Sequence, residues 1–73
     1  MPKLKPVSSR TTLQKLKRAG FIPTHQRGSH LYLEKGDNIA SVPMHSAKHI
    51  PIGTLHNIVV RQAGLSIEEF NDL

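Results

Sequence analysis

Residues 27–38, RGSHLYLEKGDN, restrict the fold more than any other stretch of the chain. Between two glycines the residues alternate, with Leu31 and Leu33 on one side of an extended chain and His30, Tyr32 and Glu34 on the other. A strand has a side-chain period of two, so this is a half-buried β-strand. Arg27-Gly28 before it and Gly36-Asp37-Asn38 after it are turn chemistry, so the chain reverses at both ends. Two further extended segments, 21–26 and 39–44, lie directly against those reversals. Connections this short join only antiparallel neighbours, which predicts a three-stranded meander. Pro23 makes the first strand an edge or irregular strand, and Pro43 closes the third.

The flanks read as helices. Pro2 and Pro6 make poor helix material, so residues 1–8 are expected to be flexible, frayed or extended. Ser8 or Ser9 can cap a helix over 10–19, with Gly20 as its left-handed stop. Within it Leu13, Leu16 and Ala19 share one side, while Arg10, Gln14 and Arg18 form a stripe on another. Residues 45–53 read as a loop broken by Pro51 and Gly53. Thr54 is expected to cap a second helix to Ala63, with Leu55, Ile58, Val59 and Gln62 on one face and Gly64 as its stop. Ser66-Ile67-Glu68-Glu69 is a capping box with Leu65 and Phe70 at the staple positions, so a short terminal helix follows.

The expected fold class is therefore α+β, in the order α-β-β-β-α. Two helices pack on one face of a three-stranded antiparallel sheet, with a short C-terminal helix beside them. Leu31 and Leu33 define the covered face, which leaves His30 and Tyr32 on the open one. A chain of 73 residues buries only about 60% of the surface its unfolded form exposes. Residues 1–73 are accordingly read as one domain with a thin core and no deep substrate cavity.

Cysteine is absent, which excludes disulfides and thiolate metal sites. No stretch approaches the roughly 20 apolar residues that cross a bilayer, and no apolar run follows the N-terminus as a signal sequence would. No membrane role and a cytoplasmic location are expected. Charge is more telling. Residues 1–36 carry eight Lys or Arg against Glu34, a net +7, whereas residues 37–73 carry two against four acids, a net −2. A basic half suits a polyanion, either nucleic acid or an acidic protein partner.

Five short runs now stand in order: Lys17-Arg18-Ala19-Gly20-Phe21, Arg27-Gly28-Ser29-His30, Val42-Pro43-Met44-His45, Gly53-Thr54-Leu55 and Ala63-Gly64-Leu65-Ser66. In this order and spacing the chain resembles the HicA family from about Leu13 to Phe70. The resemblance implies a fold like the double-stranded RNA-binding domain. It also implies a toxin of a type II toxin–antitoxin system that cleaves messenger RNA and is held inactive by a HicB-type antitoxin. The family's activity depends on the histidine of its Gly-Ser-His motif, which falls on His30. The stretch His49-Ile50-Pro51-Ile52 departs from the more polar one usual in the family.

RNA carries its own nucleophile, the 2′-hydroxyl beside each phosphate, so an enzyme need only move protons and stabilise charge. An imidazole suits this because its unperturbed pKa of about 6.5 leaves both forms populated near neutrality. Arg27 is the nearest cation in sequence to stabilise the phosphorane. No metal and no small-molecule cofactor is required. The expected RNA-binding set is Arg10, Lys17, Arg18, Arg27, Gly28, Ser29 and Tyr32, with Tyr32 orienting a phosphate, stacking on a base, or serving only as a surface sheet residue. One histidine does not easily serve as base and acid together, so a second group, water or a slow reaction has to be allowed for. His25, on a strand that can neighbour His30, is a weak candidate for that second carrier. His45 is expected to fix the loop by a hydrogen bond, and a metal on His45 and His49 is improbable between Pro43 and Pro51. The alternative function is a non-catalytic module that binds double-stranded RNA. A helix-turn-helix DNA reader is disfavoured by the alternating strands.

Overall fold

In a computed structural model, which describes residues 3–44 and 49–73, helix α1 (Ser9–Arg18) leads into strands β1 (Ile22–Arg27), β2 (His30–Lys35) and β3 (Asn38–Pro43). Helix α2 (Ile52–His56) continues as a π-helical segment, Asn57–Gln62, and α3 (Ile67–Asn71) ends the chain. The sheet has the order β1-β2-β3, antiparallel throughout. The α-β-β-β-α arrangement expected from the sequence is the observed one.

Each end of α1 is built by its own residues. Ser8 caps it, its hydroxyl oxygen accepting the Thr11 N–H at 3.1 Å. At the other end Gly20 has φ +102°, the Gly20 N–H donates to the Lys17 carbonyl, and the Phe21 N–H donates to the Leu16 carbonyl, both at 3.0 Å. This is the Schellman arrangement, and its usual apolar clasp is present because Leu16 and Phe21 are both buried. A first-turn hydroxyl also locks the helix to the sheet: the Ser9 hydroxyl donates to the Pro43 carbonyl at the end of β3.

Leu33 on β2 and Ala40 and Val42 on β3 pack with Leu16, Leu55, Ile58, Val59 and Phe70 in one core. The helices therefore lie on the Leu33 face, and the face carrying His30 and Tyr32 is left to solvent. Cover is incomplete, however, because every residue of β1 is exposed. The core shelters β2 and β3, and β1 hangs beyond it as an edge.

Two expectations are corrected. The second helix does not begin at Thr54: its N-cap is Pro51, it makes no side-chain capping bond, and Gly53 and Thr54 lie inside it. Proline has a φ suited to a helix start, here −55°, and its carbonyl accepts the Leu55 N–H at 2.8 Å. The helix also widens after His56, with the Ala63 N–H donating to the Ile58 carbonyl at 2.8 Å. Gln62 then reaches the free edge of β3, where its Oε1 accepts the Ser41 N–H at 2.7 Å, and Asn38 donates to the Ala63 carbonyl at 3.2 Å. A side chain and a helix end thus cover a strand edge that would otherwise invite another chain.

The segment before α1 is not helical, but it is held at several points. The Ile50 N–H donates to the Val7 carbonyl at 2.9 Å, Ser8 bridges His49, and Asn71 donates to the Lys3 carbonyl at 3.0 Å. Ile50, read from sequence as loop, is buried in the core.

The terminal helix has the expected capping box. The Ser66 N–H donates to Glu69 Oε1 and the Glu69 N–H donates to the Ser66 hydroxyl, each at 3.0 Å. The backbone bond from Ser66, and next its hydroxyl, hold the Glu69 carboxyl below the usual glutamate range. A carboxyl with a lowered folded-state pKa favours folding above its unfolded value, about 4.3, and loses that effect as pH falls through the folded one. Thermal melts should therefore show wild type ahead of Glu69→Gln at neutral pH, with the gap closing on acidification. A gap that persists at acid pH would contradict the capping role.

Candidate active site

The turn between β1 and β2 is Gly28-Ser29. Gly28 has φ +57°, and no other residue of the turn needs a positive φ. A positive φ at the first central position is what a tight hairpin of this class requires, and only glycine adopts it without strain. Gln26 steadies the turn by donating to the Gly28 carbonyl at 3.1 Å. The Ser29 carbonyl accepts the Met44 N–H at 2.6 Å, so the hairpin tip is tied to the end of β3.

His30 opens β2, is exposed, and lies between Arg27 of β1 and Pro43 of β3. Arg27 is thus not in the turn, as the sequence suggested, but directly across the strand from His30. Opposed residues of an antiparallel pair share a face with Cβ atoms about 4.5–5.5 Å apart, so the two side chains leave the sheet side by side. One row further from the turn, His25 faces Tyr32. Their rings stack with centroids 4.5 Å apart and 7° between planes. A third row places Ile22 and Ile39, both exposed, on either side of Glu34.

An irregularity in β1 brings the third row onto this face. The register shifts between Pro23 and His25, leaving Thr24 as the extra residue. Ile22 and His25 are three apart, and a regular strand would send them to opposite faces; the bulge puts both on the open one. The Thr24 hydroxyl donates to the Tyr32 carbonyl at 3.3 Å and lies 3.1 Å from His25 Nδ1.

Other expected binding residues are dispersed. Arg10, Lys17 and Arg18 are exposed on α1, which packs against the sheet face opposite to His30. Arg10 adjoins the Ser9–Pro43 link and so shares an end of the molecule with His30. Lys17 and Arg18 lie at the far end, near Lys35, whose ammonium donates to the Ala19 carbonyl at 2.6 Å. Tyr32 is half-buried, with one ring face taken by His25. His45 lies outside the described residues, and with it the loop-fixing bond and the pairing with His49. Thr24 and Gln26 carry no motif signal, and only the register brings them into play.

Residues 9–65 match the family model described as the HicA toxin of bacterial toxin–antitoxin systems. The chain belongs to the HicA toxin family. Membership makes it a toxin-type component and implies an antitoxin partner. The matched span holds α1, the whole sheet and the π-helical segment, and therefore every residue of the open-face cluster. It stops short of α3, although Phe70 of that helix completes the core of this HicA-family chain. No match was found among curated proteins. Among the described residues, no helix is long and apolar enough to cross a membrane.

Proposed function

We propose that the chain is an endoribonuclease toxin of a type II toxin–antitoxin system, cutting messenger RNA with His30 and neutralised by a HicB-type antitoxin. The reading is supported above all by the position of His30: exposed, at the end of a hairpin, across the strand from Arg27, on a sheet face without helices. A ribose-phosphate can approach such a ring without any rearrangement of the core. Residues 1–73 act as one unit in this reading, without a metal or small-molecule cofactor.

In the reaction His30 transfers a proton while the ribose 2′-hydroxyl attacks the adjacent phosphorus. Arg27 neutralises charge gathering on the non-bridging oxygens. The products are a 2′,3′-cyclic phosphate and a 5′-hydroxyl, and the block to translation follows from the loss of intact message. Gly28 and Ser29 shape the tip that approaches the backbone, and Tyr32 offers an aromatic edge to a base. Arg10, Lys17 and Arg18 contact phosphates further along the strand, which must pass round the end of the sheet to meet them. A HicB-type antitoxin silences the toxin by covering the open face, and the basic N-terminal half, net +7 over residues 1–36, favours an acidic partner.

Purified protein incubated with a labelled transcript tests the reading. Fragments ending in cyclic phosphate are expected; RNA that stays intact at high protein concentration would instead favour the non-catalytic RNA-binding module. Binding should also weaken with salt. Three neutralised phosphates on a single strand give a log–log slope of about −2, or roughly a twentyfold loss between about 50 and 200 mM. Filter binding across that range checks it, and a flat response would remove the three helix cations from the interface.

A further inference from the structure

We propose that His25 is the second proton carrier of this site, acting with His30 on one bound phosphodiester; the inference rests on the nuclease reading above.

The register supplies the geometry. His25, Arg27, His30 and Tyr32 occupy four adjoining positions on the open face, with His25 diagonal to His30 and Arg27 beside both. Diagonal neighbours lie about 7–8 Å apart. Two hydrogen-bond reaches of about 2.6–3.2 Å each, with a phosphate between them, span a gap of that size. Arg27 then sits where the non-bridging oxygens of that phosphate fall.

The hydrogen bonds supply the orientation. The Thr24 hydroxyl has one proton and donates it to the Tyr32 carbonyl. With that proton so placed, the contact with His25 at 3.1 Å fits the tautomer in which Nδ1–H donates to the hydroxyl oxygen. This leaves Nε2 as the nitrogen that takes or gives a proton, while the stack on Tyr32 fixes the ring plane. His25 is exposed, so Nε2 can be reached from solvent. An imidazole held through one nitrogen and free at the other is the arrangement proton-transfer histidines need.

In the reaction one imidazole takes the 2′-hydroxyl proton as the O2′–P bond forms. The other, as imidazolium, gives a proton to the 5′-oxygen as the P–O5′ bond breaks. One proton enters the pair and one leaves, and solvent restores both rings after release. The charged and titratable groups facing His25 are Arg27 on its own strand and Tyr32, His30 and Glu34 on β2.

The test is single-turnover cleavage of a labelled single-stranded transcript as a function of pH, for wild type, His25→Gln and His30→Ala. Wild type should give a bell with two limbs. His25→Gln should lose one limb and fall about 10²–10⁴-fold at its plateau, with RNA binding and the far-ultraviolet spectrum unchanged. Both limbs persisting in His25→Gln, at full or reduced rate, overturns the assignment and leaves His25 at most a positioning residue. Absence of cleavage by wild type, or full cleavage by His30→Ala, sinks the nuclease reading itself and this inference with it.

Discussion

His30→Ala should lower RNA cleavage by about 10²–10⁴-fold, the usual contribution of general acid–base catalysis, and should release any growth arrest caused by the native chain. The ring is exposed and begins a strand, so its removal leaves neither a cavity nor an orphaned polar group in the core. Surface changes of this kind move stability by about 0.5 kcal/mol or less. The variant should therefore melt like wild type and still bind RNA while failing to cut it. Cleavage kinetics, a melting curve and growth on induction, taken side by side, check all three statements. Growth arrest by both forms, or by neither, would remove His30 from the centre of the mechanism.

Phe70→Ala is the substitution expected to damage the fold most. Its ring is 1% exposed and packs into the central cluster from a helix of five residues. The Lys15 ammonium lies 4.9 Å from the ring centroid and donates to the Phe70 carbonyl at 3.1 Å, binding α3 to α1. Truncating a buried phenylalanine costs about 3–5 kcal/mol. At about 0.05–0.15 kcal/mol per residue, a chain of this length has roughly 4–11 kcal/mol in all. The variant should lose a large share of its stability, as urea titration would measure, and a loss under about 1 kcal/mol would contradict the packing. Any activity lost should follow the unfolded fraction, because Phe70 is not on the open face.

Much of this is legible in the sequence. The alternation of Leu31 and Leu33 with His30 and Tyr32 gave the strand, its covered face and the exposure of the histidine, since a period of two leaves no other arrangement. Gly20 marked the stop of α1, and Ser66 with Glu69 marked the start of α3, because both signals are local bonds between residues a few positions apart. The start of the second helix differs from the one its local residues favour, for the same reason inverted. Thr54 is a good cap by type, but Pro51 already supplies a helix-ready backbone upstream, and Ile50 is drawn into the core beside it.

What the chain alone determined, then, is whatever depends on neighbours in sequence: the meander, the stop of α1, the start of α3, the basic half and the solvent-facing histidine. Tertiary structure alone decided the rest. A bulge at Thr24 shifted the rest of β1 by one residue and brought Ile22 opposite Glu34, onto the same face as His25. A π-helical segment delivered Gln62 to the open edge of β3. Both depend on hydrogen bonds to strands distant in sequence, and the local energies separating regular from irregular backbone are too small to choose without them.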